Sequence, residues 1–205
     1  MTDSNAIGRR IRETRLRLKI SQAKLAYPEL SESYISLIES GNRTPTARAL
    51  EIIARKLGCS VDYLLRGIES EEIKRLEHDL QSARGELERG NKKNALVTYQ
   101  RLISEPNIDR LPELLHAAKF GLALALEACG DLNEAIRILT ELRENHHASL
   151  SDEHRVGTAL ALTRCLRDRG DFELGIQVAE DEIAAMIGKG WTDHLIELGA
   201  TLMSV

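Results

Sequence analysis

Residues 21–43 read SQAKLAYPELSESYISLIESGNR, and the rest of the chain is read outward from them. Ser21 offers an oxygen to the unpaired N–H groups of a helix start, so a short helix opens at Gln22. Pro28 ends it, because a proline disfavours helical geometry at the residue before, Tyr27. Ser31 caps a second helix, with Ile35 and Ile38 turned inward at i and i+3. Gly41 stops that helix as a left-handed residue. Two short helices joined by a tight turn, the second polar outward and followed by a basic loop, is the arrangement that lays a helix in the DNA major groove. Sequence-specific DNA binding is therefore the first expectation.

The flanking sequence supplies three more helices. Asn5 is placed to cap a first helix with apolar positions Ile7 and Ile11, continuing to Leu16 and Leu18, and a polar face of Arg9, Arg10, Arg12, Arg15 and Arg17. Thr44-Pro45 makes a turn, and Thr46 caps a fourth helix. Its core positions Leu50, Ile53, Ala54 and Leu57 fall on one face, and Gly58 closes it. Ser60 caps a fifth, VDYLL, closed by Gly67.

The strings ISQAKLA, SYISLIESGNRTPT and ALEIIARKLGCSVDYLLRG resemble the Cro/C1-type (XRE) helix-turn-helix family over about the first 67 residues. One departure is the turn between the two motif helices. Such domains usually place a glycine there, whereas this chain has Tyr27-Pro28-Glu29-Leu30 in a turn that reads one residue shorter. The resemblance implies that Glu32, Ser33, Ser36 and Leu37 face the bases. Glu32 would accept from a cytosine amino group and Leu37 would touch a thymine methyl. It places Arg10, Gln22, Lys24, Tyr34, Asn42, Arg43 and Thr44 on phosphates, and Glu39 in a structural tie to a neighbouring Arg. The base-facing set lacks Arg, Asn and Gln, so modest base discrimination helped by DNA shape is expected.

The charge distribution agrees with this division of labour. Residues 1–67 hold 12 Lys/Arg against 7 Asp/Glu, a net +5, while residues 68–205 hold 16 against 25, a net −9. A basic head suits phosphate, and an acidic body is repelled by it. Aromatic residues make up 3% of the chain, too few for base-stacking platforms of the single-strand kind. No apolar run approaches the roughly 18–20 residues that span a bilayer, and the N-terminus lacks a signal-peptide core. A cytoplasmic protein without membrane contact is expected. Cys59, Cys129 and Cys165 are odd in number and lack metal-ligand spacing, which suits free thiols.

The acidic body echoes itself every forty residues. GNKKNA at 90–95, GDLNEA at 130–135 and GDFELG at 170–175 place Gly90, Gly130 and Gly170 at equal intervals. After each comes an apolar helix: Ala95, Leu96, Tyr99, Leu102; Ala135, Ile136, Leu139, Leu142; Ile176, Val178, Ala179, Ile183. Before each comes another, such as Leu115, Ala118, Leu122, Ala125 and Leu126. A repeated helix, glycine turn and helix reads as a solenoid of hairpins. These repeats resemble tetratricopeptide (TPR) repeats, with forty residues implying longer helices or loops than the usual ~34. The expected fold is all-α: a five-helix Cro/C1-type head at 1–67 and a TPR-like domain at 68–205. Its hairpins lie near 70–107, 111–147 and 152–188, with a solitary helix at 191–205 that contains Trp191. That last helix either caps the solenoid or opens a fourth hairpin of a longer array. Its apolar end, Leu202, Met203 and Val205, favours the longer array.

Solenoids of this kind line a concave surface with their first helices. Arg84, Glu88, Glu127, Arg164 and Arg167 are the candidate groove residues for a peptide or protein ligand. Ile73, Leu76, Leu80, Ala83 and Leu87 also satisfy a heptad seam for a dimeric coiled coil, although packing of the first repeat helix on its partner is the favoured reading. His146, His147 and His154 near Asp152 and Glu153 read as solvated loop residues rather than a metal site. A Gly-rich phosphate loop and a nucleophile–base pair are both lacking, so neither catalysis nor a cofactor is expected. By resemblance to bacterial regulators that join such a head to such repeats, the expected function is a homodimeric transcriptional regulator. Its partner is double-stranded DNA, and its repeats dimerise or sense a peptide or protein. The alternative is a TPR interaction scaffold whose helix-turn-helix module no longer binds DNA.

Overall fold

The computed structural model describes residues 4–144 and 151–186. Eleven α-helices and one 3-10 turn make up its secondary structure, and no strand occurs among the described residues. The chain divides into two compact units, Met1–Arg75 and Leu76–Val205.

The first unit packs α1 (Ser4–Arg17), α2 (Gln22–Ala26), α3 (Glu32–Glu39), α4 (Ala47–Leu57) and α5 (Val61–Arg66). Four helix starts carry the caps read from the sequence. Ser21, Ser31, Thr46 and Ser60 accept from the N–H groups of Lys24, Tyr34, Ala49 and Tyr63, each contributing about 1 kcal/mol. Gly58 and Gly67 close α4 and α5 in the left-handed conformation. Ile7, Ile11, Leu25, Ile35, Ile38, Ile53 and Leu64 form a core with almost no exposed surface. At roughly 1.5–3 kcal/mol per buried side chain, it dominates the stability of the unit. Gly8 lets α1 approach α3 closely, since a Cβ there would lie 2.1 Å from the Ile38 carbonyl oxygen.

Two details of α1 differ from the sequence reading. Asn5 is not a cap but lies inside the helix, its side chain against Gly41. Leu16 and Leu18 are exposed. The helical repeat carries the buried stripe from Ile7 and Ile11 to Thr14 and Arg15, and Leu18 lies beyond the helix end.

Helical hairpins follow, with α6 (Ser70–Glu88), whose first turns precede the division after Arg75, followed by α7 (Lys92–Ile103), α8 (Pro112–Cys129) by α9 (Leu132–Glu144), and α10 (Asp152–Arg169) by α11 (Phe172–Met186). Gly90, Gly130 and Gly170 sit at the turns with φ of 82°, 86° and 96°. A Cβ at any of the three would meet nothing within 4 Å. Backbone conformation, not crowding, therefore requires glycine there. The buried positions repeat with the same period: Ala95, Ala135 and Gly175, then Tyr99, Leu139 and Ala179. With Gly175 facing inward, Ile176 turns outward, 40% exposed, against the sequence reading. The third hairpin also departs at Glu182, forty residues after Leu142. It is buried and accepts from Arg155 Nε at 2.7 Å. Ion pairs join the helices of the other hairpins, Arg101 to Asp79 and Lys119 to Glu141.

Along the heptad-like seam of α6, Ile73, Leu76 and Ala83 are buried within the chain, and Leu80 and Leu87 are half-buried. The expected helix at 191–205, with Trp191, and His146 and His147 lie outside the described residues. Among the described residues, no helix is long and apolar enough to cross a membrane, and no group of three His, Cys, Asp or Glu is placed to hold a metal.

Candidate DNA-reading face and repeat face

The turn between α2 and α3 obeys Pro28. Tyr27 is extended, with φ −64° and ψ 140°. Helix α3 then presents Glu32, Ser33, Ser36 and Leu37 outward while Ile35, Ile38 and Glu39 face the core. Ser33 and Leu37 line an open groove of about 420 Å³ together with Glu29, Leu30, Ser31, Tyr34 and Arg43. Glu32 and Ser36 are exposed but outside this groove. Its apolar wall is Leu30, Leu37 and the Tyr34 ring, and its polar rim is Ser33, Glu29 and Arg43. Leu30 and Glu29 were not anticipated, because their place depends on how the turn folds back.

Arg43 is held ready at the edge. Its guanidinium lies 5.0 Å from the centre of the Tyr34 ring, a cation–π contact of about 0.5–1 kcal/mol at an exposed site. Its backbone N–H donates to the Leu37 carbonyl at 3.1 Å. The Tyr34 hydroxyl accepts from the Thr46 N–H at 3.3 Å. Asn42 donates to Ser40 Oγ, and Thr44 shares a 2.7 Å hydroxyl contact with Ser4. Lys24 extends from α2 as an exposed residue.

Two expected phosphate ligands are engaged elsewhere. Arg10 donates to the carbonyls of Leu64 and Leu65 at 2.8 and 2.5 Å, tying α1 to the end of α5. Gln22 donates to Glu39 Oε2 at 2.8 Å. Glu39 also takes two bonds from Arg15, at 2.6 and 2.8 Å, so the structural tie expected of Glu39 is to Arg15. Burial alone would raise the Glu39 carboxyl. The hydrogen bonds from Arg15 and Gln22 outweigh it and hold the group below the usual carboxylate range. The same pairing raises Arg15. Helix α3 is thus clamped from behind by α1 and α2.

In the repeats, Glu127 and Arg164 come together across α8 and α10 in a bidentate pair of 2.6 and 2.8 Å. The same two helices meet at two further rungs. His154 lies edge-on to His116 at 5.1 Å, and the Phe120 ring packs toward Gly157. Arg84 instead pairs with Glu88 on its own helix, and Arg167 with its neighbour Asp168. Of the five expected groove residues, Glu127 and Arg164 are brought together between repeats. Cys165 is buried beside this rung, and burial pushes its thiol up to about 12. Cys59 is half-buried and Cys129 exposed, and all three are free.

Comparison with known proteins matches the first unit to a family of its own. Residues 11–64 match the helix-turn-helix family HTH_3. The N-terminal unit is therefore a helix-turn-helix domain of the XRE type, and the chain is an all-α protein that joins it to a TPR-like solenoid. No curated protein sequence matches the chain. Among solved structures, PlcR of Bacillus thuringiensis, in complex with the peptide PapR7 and DNA, is similar at 17% identity and a TM-score of 0.50. The match covers 89% of this chain and 65% of that one. The Streptococcus dysgalactiae SHP pheromone receptor Rgg2 shows 15% identity and a TM-score of 0.40, over 96% and 85% of the two chains. At 17% identity the likeness to PlcR is one of fold, and this chain spans about 65% of that protein's length.

Proposed function

We propose that this protein is a DNA-binding transcriptional regulator whose repeat domain receives a peptide or protein signal. The observation that carries the reading is the two-sided character of α3. Its inner side is fastened by the Arg15–Glu39–Gln22 network, and its outer side offers Glu32, Ser33, Ser36 and Leu37. A rigid helix with an open polar surface beside Arg43 suits insertion in a major groove. Ser33 and Leu37 read bases from within the groove of α3, while Glu32 and Ser36 read from its shoulder. Lys24, Tyr34, Asn42, Arg43 and Thr44 hold phosphates.

The second half of the proposal is that an extended peptide lies on the α6, α8 and α10 side of the repeats, near Arg84, Glu88, Glu127, Arg164 and Arg167. PlcR, similar in fold, was solved with both a peptide and DNA. Two copies acting together would set their reading helices about 34 Å apart, one helical turn of DNA. Ligand-driven movement of the repeats would then change affinity through that spacing.

Gel retardation of random duplexes at two salt concentrations tests the first half. Retarded complexes that weaken steeply with salt support it. Absence of any complex at low salt would leave the scaffold reading, in which the head no longer binds DNA.

A further inference from the structure

Behind the turn that precedes α3 lies an ammonium with four oxygen neighbours. Lys56 Nζ donates to the carbonyls of Leu25, Ala26 and Tyr27 at 3.0, 3.2 and 2.5 Å. It also lies 2.6 Å from Glu29 Oε2. The three carbonyls belong to the last turn of α2 and its cap, where the end of the helix leaves acceptors over, although the Ala26 carbonyl also accepts from the Leu30 N–H at 2.8 Å. A cation there complements the negative end of the helix dipole as well. Arg55 reaches Glu29 Oε1 at 3.1 Å, so the carboxylate is gripped from both sides by adjacent residues of α4. The bond from Lys56 is the main reason the Glu29 carboxyl sits below its ordinary range. The Lys56 side chain is only 19% exposed.

The turn fastened in this way, Tyr27 to Leu30, ends in two residues that wall the groove on the reading face, Glu29 and Leu30. Ser33, Leu37 and Arg43 line the same groove. The width of the groove therefore depends on where the turn is held, and Lys56 holds it at four atoms. We infer that Lys56 is a positioning residue for sequence discrimination: it touches no DNA, but it sets the wall against which a base edge is read. Methionine keeps the length of the stem and removes every donor. Arginine keeps the charge, but its planar fork cannot aim at three converging carbonyls. The inference rests on the DNA-binding reading above.

The test compares two labelled duplexes of equal length and composition. One is recovered by the wild-type protein from a random pool, and the other is unselected. Binding is measured by fluorescence anisotropy at several salt concentrations, at a temperature where circular dichroism shows each variant folded. K56M should lower the preference for the selected duplex by about tenfold, the scale of one mismatched base pair. Its salt slope and its affinity for the unselected duplex should match wild type. K56R should restore part of the preference. A destabilised but correctly shaped head would lower both affinities together once the folded fraction was counted, which separates the two roles. Wild-type preference in folded K56M overturns the inference. Should K56M fail to fold, K56R decides instead, because it keeps the charge but cannot serve the three converging carbonyls together. A preference reduced about threefold supports the inference, and an unchanged one overturns it. If the wild-type protein binds neither duplex at about 50 mM salt, the DNA-binding reading itself has failed, and the inference with it.

Discussion

Glu127 and Arg164 lie on successive first helices of the repeats, and Arg164 donates two hydrogen bonds to the Glu127 carboxylate, of 2.6 and 2.8 Å. With His116 against His154 and Phe120 against Gly157, they register α8 on α10 at an offset close to the forty-residue period. Glu127 is mostly buried at its side chain, whereas Arg164 is 41% exposed. Solvent therefore screens the pair in part. A double-mutant cycle of E127A and R164A should give a coupling energy of about 1 kcal/mol in urea unfolding. Additive single effects would mean that the rung contributes nothing to the stacking of repeats.

Arg15 and Glu39 make the equivalent tie in the head, and here both partners are buried. Replacing Glu39 by Gln leaves Arg15 without its counter-charge, and should cost about 3 kcal/mol. The pair also sets a pH dependence. The folded Glu39 carboxyl is lowered from its ordinary value of 4.5. Its contribution is therefore complete above that value and is lost as pH falls through the lower folded value. Melting temperature of the head should drop on acidification below about pH 4.5. E39Q should flatten that limb of the curve while lowering the plateau. An acid limb of the same size in E39Q would show that other carboxylates produce it.

The glycines of the second unit separate two physical costs. Gly130 stands in open space with φ of 86°, so G130A should lose about 1–2 kcal/mol from backbone strain alone. Gly121 is helical, but its Cβ would lie 2.3 Å from the Tyr99 ring. G121A should cost about 1–3 kcal/mol through overpacking. The companion change Y99L should recover part of that loss, and it should do nothing for G130A. Thermal denaturation of the four variants checks the pattern, and rescue of both glycine variants by Y99L would contradict it.

On the reading face, Arg43 and Leu37 should fail in different ways. R43A should weaken binding to all duplexes alike and reduce the salt slope by about one unit, because it removes one phosphate contact. L37A should leave the slope unchanged and abolish the difference between a thymine and a uracil at one position of the selected site, if Leu37 touches the 5-methyl group as proposed. Tight operator binding by R43A would contradict the phosphate role. Persistent thymine preference in L37A would place the methyl contact elsewhere.

Much of this was legible from local chemistry. Ser21, Ser31, Thr46 and Ser60 announce helix starts because each supplies an oxygen within three residues of the N–H that needs it. Gly90, Gly130 and Gly170 announce turns because their φ values exclude most other residues. What was not legible depends on partners distant in sequence. The five arginines expected on the polar face of α1 look alike in a string of letters. Arg15 is buried because α3 brings Glu39 to it, and Arg10 is tied down because α5 ends beside it. Lys56 reads as an ordinary polar position of α4, since the carbonyls it gathers lie about thirty residues earlier. Ile176 is a different case. The buried positions keep their forty-residue period, with Gly175 in the inward place that alanine holds in the other repeats, yet Ile176 is exposed where Ile136, forty residues earlier, is buried, and the letters do not distinguish the two.

Selection from a random duplex pool by the full chain, with sequencing of the bound fraction, tests the DNA-reading role of α3 most directly. The predicted outcome is a recurring motif, arranged as two inverted half-sites about one helical turn apart, that is lost when Glu32, Ser33 and Leu37 are all replaced by alanine. A bound fraction no more enriched than the starting pool, or one unchanged by those three substitutions, would contradict it.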